Sequence, residues 1–96
     1  MKFTFIKETD TYIAEKCNCN GNFKKAILTF SNSCDTSLAY IYADSTPIGV
    51  CALSSVKGER MCAQCEIDDI SHFDRIEIKV DGDAVLHSVE FSDEPV

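Results

Sequence analysis

The sequence predicts an all-β fold, a single small antiparallel sandwich of about seven to eight strands, Greek-key or jelly-roll-like, with a β-barrel as the alternative. Three observations carry this reading. Apolar residues recur at every second position, turn formers interrupt them at roughly ten-residue spacing, and no window sustains apolar residues at i, i+3, i+4 and i+7. A chain of 96 residues has room for one core, so residues 1–96 form one domain.

Each strand has its own boundary signals. Lys2–Lys7 opens the series and Thr9-Asp10 separates it from Tyr12–Cys19. Asn20-Gly21-Asn22 reads as a turn into Phe23–Phe30, and Ser45-Thr46-Pro47 as a turn between Leu38–Ala43 and Ile48–Leu53. Lys57-Gly58 precedes Arg60–Ile67. Asp68–Phe73 lacks alternation and reads as a crossover between sheets, with room for a helical turn and with Ile70 and Phe73 closing the end of the core. Ile76, Ile78 and Val80 then alternate with charged residues, as a half-buried strand does. Asp81-Gly82-Asp83 predicts a hairpin, with Val85, His87, Val89 and Phe91 returning on one face. The core is expected from Leu28, Phe30, Ile76, Ile78, Val80, Val89 and Phe91, and the tail Ser92–Val96 is expected to fray.

Charge is unevenly spread. Residues 1–58 hold six lysines against five carboxylates, whereas residues 59–96 hold three cations against eleven carboxylates, within a net charge of −7. That sign opposes direct binding to nucleic acid or to an anionic membrane, where affinity comes from neutralising phosphate. It suits a protein partner with a basic surface. The acidic clusters Asp68, Asp69, Asp81, Asp83, Asp93 and Glu94 are therefore the expected contact residues of a non-enzymatic binding protein, an inhibitor docking on a basic partner such as a nucleic-acid-handling enzyme. Monomer and dimer both stay open, since a sandwich leaves edge strands free to pair.

Six cysteines in so short a chain offer three readings. As a zinc staple, Cys17, Cys19, Cys62 and Cys65 are the candidate ligands, with Cys34 in reserve. Cys17 and Cys19, two apart, share a strand face, but Cys62 and Cys65, three apart in an extended run, face opposite sides unless a bulge intervenes. As disulfides, the six allow fifteen pairings and imply a secreted module binding sugar or a cell-surface ligand. Tyr40 and Tyr42, on one strand face, would then be either its platform or a cross-strand packing pair. Reduced cysteines serving as small core residues are the plainest reading of the pattern and the one favoured over both. The charged N-terminus, without an unbroken apolar stretch, points to the cytoplasm, and disulfides would point to secretion.

Catalysis finds no support in the motifs. His72 and His87 are the two histidines, and neither stands in a nucleophile-bearing sequence. Calcium would need the carboxylates of 68–74 and 81–83, which flank opposite ends of one strand. No cofactor is expected beyond a conceivable zinc.

Overall fold

The computed structural model describes residues 3–31, 37–54 and 59–94, leaving aside the side chains of Asp69 and Ser71. The eight strands are β1 (Ile6–Glu8), β2 (Thr11–Ala14), β3 (Cys19–Ser31), β4 (Ser37–Ala43), β5 (Thr46–Leu53), β6 (Arg60–Phe73), β7 (Ile76–Asp81) and β8 (Val85–Ser92). They form two antiparallel sheets, a five-stranded one ordered β1-β2-β7-β4-β5 and a three-stranded one ordered β6-β3-β8. The expected all-β antiparallel sandwich is the observed fold, with no helix among the described residues.

Alternation builds the core. In β4, Ser37, Ala39, Ile41 and Ala43 point inward, and in β7 Ile76, Ile78 and Val80 do so, while their neighbours face solvent. All seven expected core residues are buried. Small residues on β4 and large ones on the facing strands let the two layers interlock. One end is closed by aromatic rings: Phe91 lies 5.0 Å from Phe3, 5.9 Å from Phe23 and 5.7 Å from Phe73, centroid to centroid. These are separations at which edge and tilted ring contacts add to area burial. Phe3 is held there by its N–H, which donates to Val89 O at 3.4 Å. Across the layers the Leu86 N–H donates to Tyr12 Oη at 3.2 Å, so the buried phenol finds a partner.

Four local expectations need correction. The Asp81-Gly82-Asp83 link is not a hairpin: β7 is already flanked by β2 and β4, leaving no place for β8, and the chain crosses to the other sheet. The same turn chemistry serves both outcomes. Asn20-Gly21-Asn22 does not end a strand either. It forms an irregularity inside β3, where the register against β6 shifts and Gly21 takes φ 155°. Asp68–Phe73 is the last part of β6, and the crossing to β7 comes after it, although Phe73 is buried and Ile70 packs on the core as expected. Lastly, a bulge between Thr29 and Phe30 in the β3–β8 register turns His87 outward, placing Leu86 rather than His87 on the buried face. The Thr9-Asp10 hairpin is present, and the turn between β4 and β5 falls at Asp44-Ser45, both with positive φ. The Lys57-Gly58 turn lies outside the described residues.

Gly82 makes the crossing possible. Its φ is +133°, and a Cβ there would collide with Ser37 Oγ and come within 3.0 Å of Ser37 Cα. Ser37 is fully buried, and its Oγ accepts the Ala84 N–H at 3.3 Å, so it has no room to yield. Gly82→Ala is expected to lower the unfolding free energy by about 1–3 kcal/mol, read as an earlier urea midpoint at unchanged slope. Phe91→Ala empties the centre of the aromatic end and is expected to cost about 3–5 kcal/mol in the same titration.

Candidate functional site

The outer face of the five-stranded sheet carries the most organised polar and aromatic surface. On β4, Tyr40 and Tyr42 point outward, half-buried against their neighbours. Register fixes those neighbours: Tyr40 is opposite Lys79 of β7 and Val50 of β5, and Tyr42 is opposite Glu77 and Pro47. On the far side of β7, Lys79 is opposite Thr11 and Glu77 opposite Ile13 of β2. One row of the face thus reads Thr11, Lys79, Tyr40, Val50 and the next Ile13, Glu77, Tyr42, Pro47.

Two depressions mark this face. One of about 430 Å³ is lined by Asp10, Tyr40, Tyr42, Lys79 and Asp81, and one of about 290 Å³ by Thr11, Tyr42, Ser45, Glu77 and Lys79. They share Tyr42 and Lys79, so together they form a continuous groove running across β4 and β7 with tyrosine rings along one wall. Both strands lie in the interior of the sheet, where pairing on each side holds the backbone and hence the direction of each side chain. Glu77 is partly engaged, lying 3.1 Å from Arg75 Nε.

The turn at the groove's rim is anchored to the chain just before the neighbouring strand β7. Asp44 Oδ1 accepts the N–H groups of Asp74 at 3.1 Å and Arg75 at 3.0 Å, while the Asp44 N–H donates to Arg75 O at 2.9 Å. Three hydrogen bonds therefore tie the β4–β5 turn, with Ser45 at the groove, to the link between β6 and β7.

The acidic residues expected to meet a basic protein do not share a surface. Asp68 is exposed on β6 in the three-stranded sheet, and Asp81 closes β7 in the other sheet and lines the groove. Asp83 follows at that same end, whereas Asp93 and Glu94 come after β8 at the opposite end. The side chain of Asp69 lies outside the described residues.

The cysteines are likewise dispersed. Cys17 precedes β3 and Cys19 opens it, the Cys17 thiol donating to Ala14 O at 3.4 Å and the Cys19 thiol to Cys17 O at 3.6 Å. Burial above all, then Cys19 and Asp74, pushes the Cys17 thiol up, and burial does the same for Cys19. Cys62 faces solvent beside Thr29 Oγ1 at 3.4 Å, while Cys65 faces inward opposite Ala26, so the pair points to opposite sides of β6. Among the described residues no group of three or more His, Cys, Asp or Glu side chains gathers as an ion would require. Cys34 lies outside the described residues. His72 is bonded through Nδ1 to Asn20 Oδ1 at 2.8 Å and His87 through Nε2 to Ser31 Oγ at 2.6 Å, both at the surface.

No protein-family model and no curated protein matches the sequence. Solved structures do. A family 6 carbohydrate-binding module from Clostridium stercorarium, in complex with cellobiose, superposes with TM-score 0.79 over 94% of this chain and 72% of its own length at 9% identity. A second family 6 module, used for dissecting binding sub-sites, gives TM-score 0.75 over 91% and 70% at 20% identity. A third, from Clostridium cellulolyticum in complex with xylose, gives 0.75 over 95% and 88% at 14% identity. The likeness is one of fold. The reading of an acidic inhibitor for a basic protein partner is nonetheless overturned: the carboxylates it needs are split between two sheets and two ends, and two of these three modules were solved with sugars.

Tyr40 and Tyr42 were legible as an aromatic pair. Their neighbours Lys79, Glu77, Thr11 and Asp10 were not, since the outward positions of the 75–80 strand look like any solvated face until β7 is known to pair with β4 and β2. Asp44→Ala is expected to cost about 1–3 kcal/mol, because two N–H groups lose their acceptor, with Asp44→Asn intermediate; thermal melts of the two variants check this order.

Proposed function

We propose that this domain is a non-catalytic carbohydrate-binding module whose ligand lies in the groove over Tyr40 and Tyr42. The observation that carries the reading is the groove itself, two outward tyrosines on an interior strand bordered by Thr11, Ser45, Glu77, Lys79, Asp10 and Asp81. The fold shared with modules solved with cellobiose and xylose supports it.

The chemistry suits a sugar. A pyranose presents an apolar C–H face and a rim of hydroxyls. Aromatic rings cover the first while keeping a polar edge in water, and two tyrosines two residues apart on a strand stand roughly 6.8 Å from each other, on the scale of adjacent rings of an oligosaccharide. Carboxylates accept from sugar hydroxyls, and the Lys79 ammonium donates to them, as charged partners make the stronger hydrogen bonds. Fixing these groups on paired strands lowers the ordering cost of binding. The groove has no tryptophan, so contact area per ring is modest and micromolar to millimolar affinity is expected, about −4 to −8 kcal/mol.

Titration calorimetry against soluble cello- and xylo-oligosaccharides tests the proposal. Tyr42→Ala is expected to weaken binding about tenfold or more, Tyr40→Ala somewhat less, and Tyr42→Phe to retain most of it, since the ring face carries the contact. Full affinity in a folded Tyr40→Ala/Tyr42→Ala double variant would remove the groove from consideration.

A further inference from the structure

The two sheets come together most closely where the outer strand β5 of one meets the outer strand β6 of the other. A Cβ added to Gly49 of β5 would lie 3.0 Å from Glu66 O and 3.0 Å from Ile67 Cγ2 of β6, so only a glycine lets the two backbones approach this far. Two residues onward along β5 stands Cys51, and a step back along β6 stands Cys65. Both point into the sandwich: Cys51 is paired with Ala39 and 2% exposed, and Cys65 is paired with Ala26 and half-buried. The two thiols come within hydrogen-bonding reach of each other there. That hydrogen bond lowers the Cys51 thiol and, together with burial, raises Cys65.

We propose that Cys51 and Cys65 are the two halves of an inter-sheet disulfide, formed by exchange with a small-molecule disulfide such as oxidised glutathione. The strands already bring the sulfurs into contact, so closure asks for little backbone movement. Cys65 is the member that glutathione can reach; in the small fraction of molecules in which its thiol has given its proton to solvent, it attacks one sulfur of the external disulfide, expelling one glutathione thiolate and leaving a mixed disulfide. Cys51 as thiolate then attacks Cys65 Sγ and expels the second glutathione thiolate. The two cysteines lose two electrons and two protons, and one oxidised glutathione becomes two reduced ones. Cys62 cannot substitute for Cys65, because it points to the opposite face of β6.

The bond would clasp the two sheets across a loop of about 15 residues, which by chain entropy raises the melting temperature by about 10 °C or more. This inference is independent of the sugar reading, and its test contains no sugar. The full chain bearing Cys34→Ser and Cys62→Ser is incubated with oxidised glutathione and digested with trypsin, which cuts between the two sites at Lys57 and Arg60. The peptides 26–57 and 61–75, each then holding one cysteine, are expected to stay joined until a reductant is added. The oxidised protein is expected to melt higher than the reduced one, and the gain to vanish in Cys65→Ser. Peptides that separate without reductant would overturn the proposal, and so would joined peptides without any rise in melting temperature.

Discussion

Every strand of the three-stranded sheet arrives from the five-stranded sheet, and β3 and β6 return to it: β3 lies between β2 and β4, β6 between β5 and β7, and β8 follows β7. That sheet contains no hairpin of its own. It exists only through pairings between segments far apart in sequence, and these pairings are worth making only because they bury the inner faces of both layers at once. The aromatic end, with Phe91 among Phe3, Phe23 and Phe73, adds ring contacts to the backbone pairing of strands drawn from distant parts of the chain. A chain wired in this way must close several long loops before any contact repays them, which predicts slow and cooperative folding.

The groove inherits its geometry from the same wiring. Strand β7 enters the five-stranded sheet between β2 and β4, neither of which precedes or follows it in sequence, and this insertion sets Lys79 beside Tyr40 and Glu77 beside Tyr42. A surface made by interior strands is stiffer than one made by loops. The turn that borders it gains rigidity from the neighbouring strand of its own sheet through Asp44, whose carboxylate holds the backbone just before β7. Site and scaffold are in this sense one set of hydrogen bonds.

Period-two alternation identified the strand class, the inward residues of β7 and the whole expected core, because burial on one face leaves a local trace in the sequence. Pairing partners leave none. Asp81-Gly82-Asp83 carries ideal hairpin residues and yet leads out of its sheet, since a turn dictates how the chain reverses and not what it lies beside. Asn20-Gly21 looks like a terminus and is a bulge in a strand that continues. The run of carboxylates after residue 58 suggested a single acidic surface, but alternation sends successive charges to different faces and the crossings carry them to opposite ends. Tyr40 and Tyr42 stood out because both lie on one strand. The groove around them is built from three strands and so was invisible from any one of them.

The contact between Phe3 N and Val89 O gives the segment before β1 a second task. Strand β8 borders its sheet, and a bordering strand offers unpaired carbonyls and amides to any extended chain that drifts past. With its N–H on Val89 O and its ring against Phe91, Phe3 fills one position of that template. A foreign strand approaching β8 at Val89 therefore meets a position already taken.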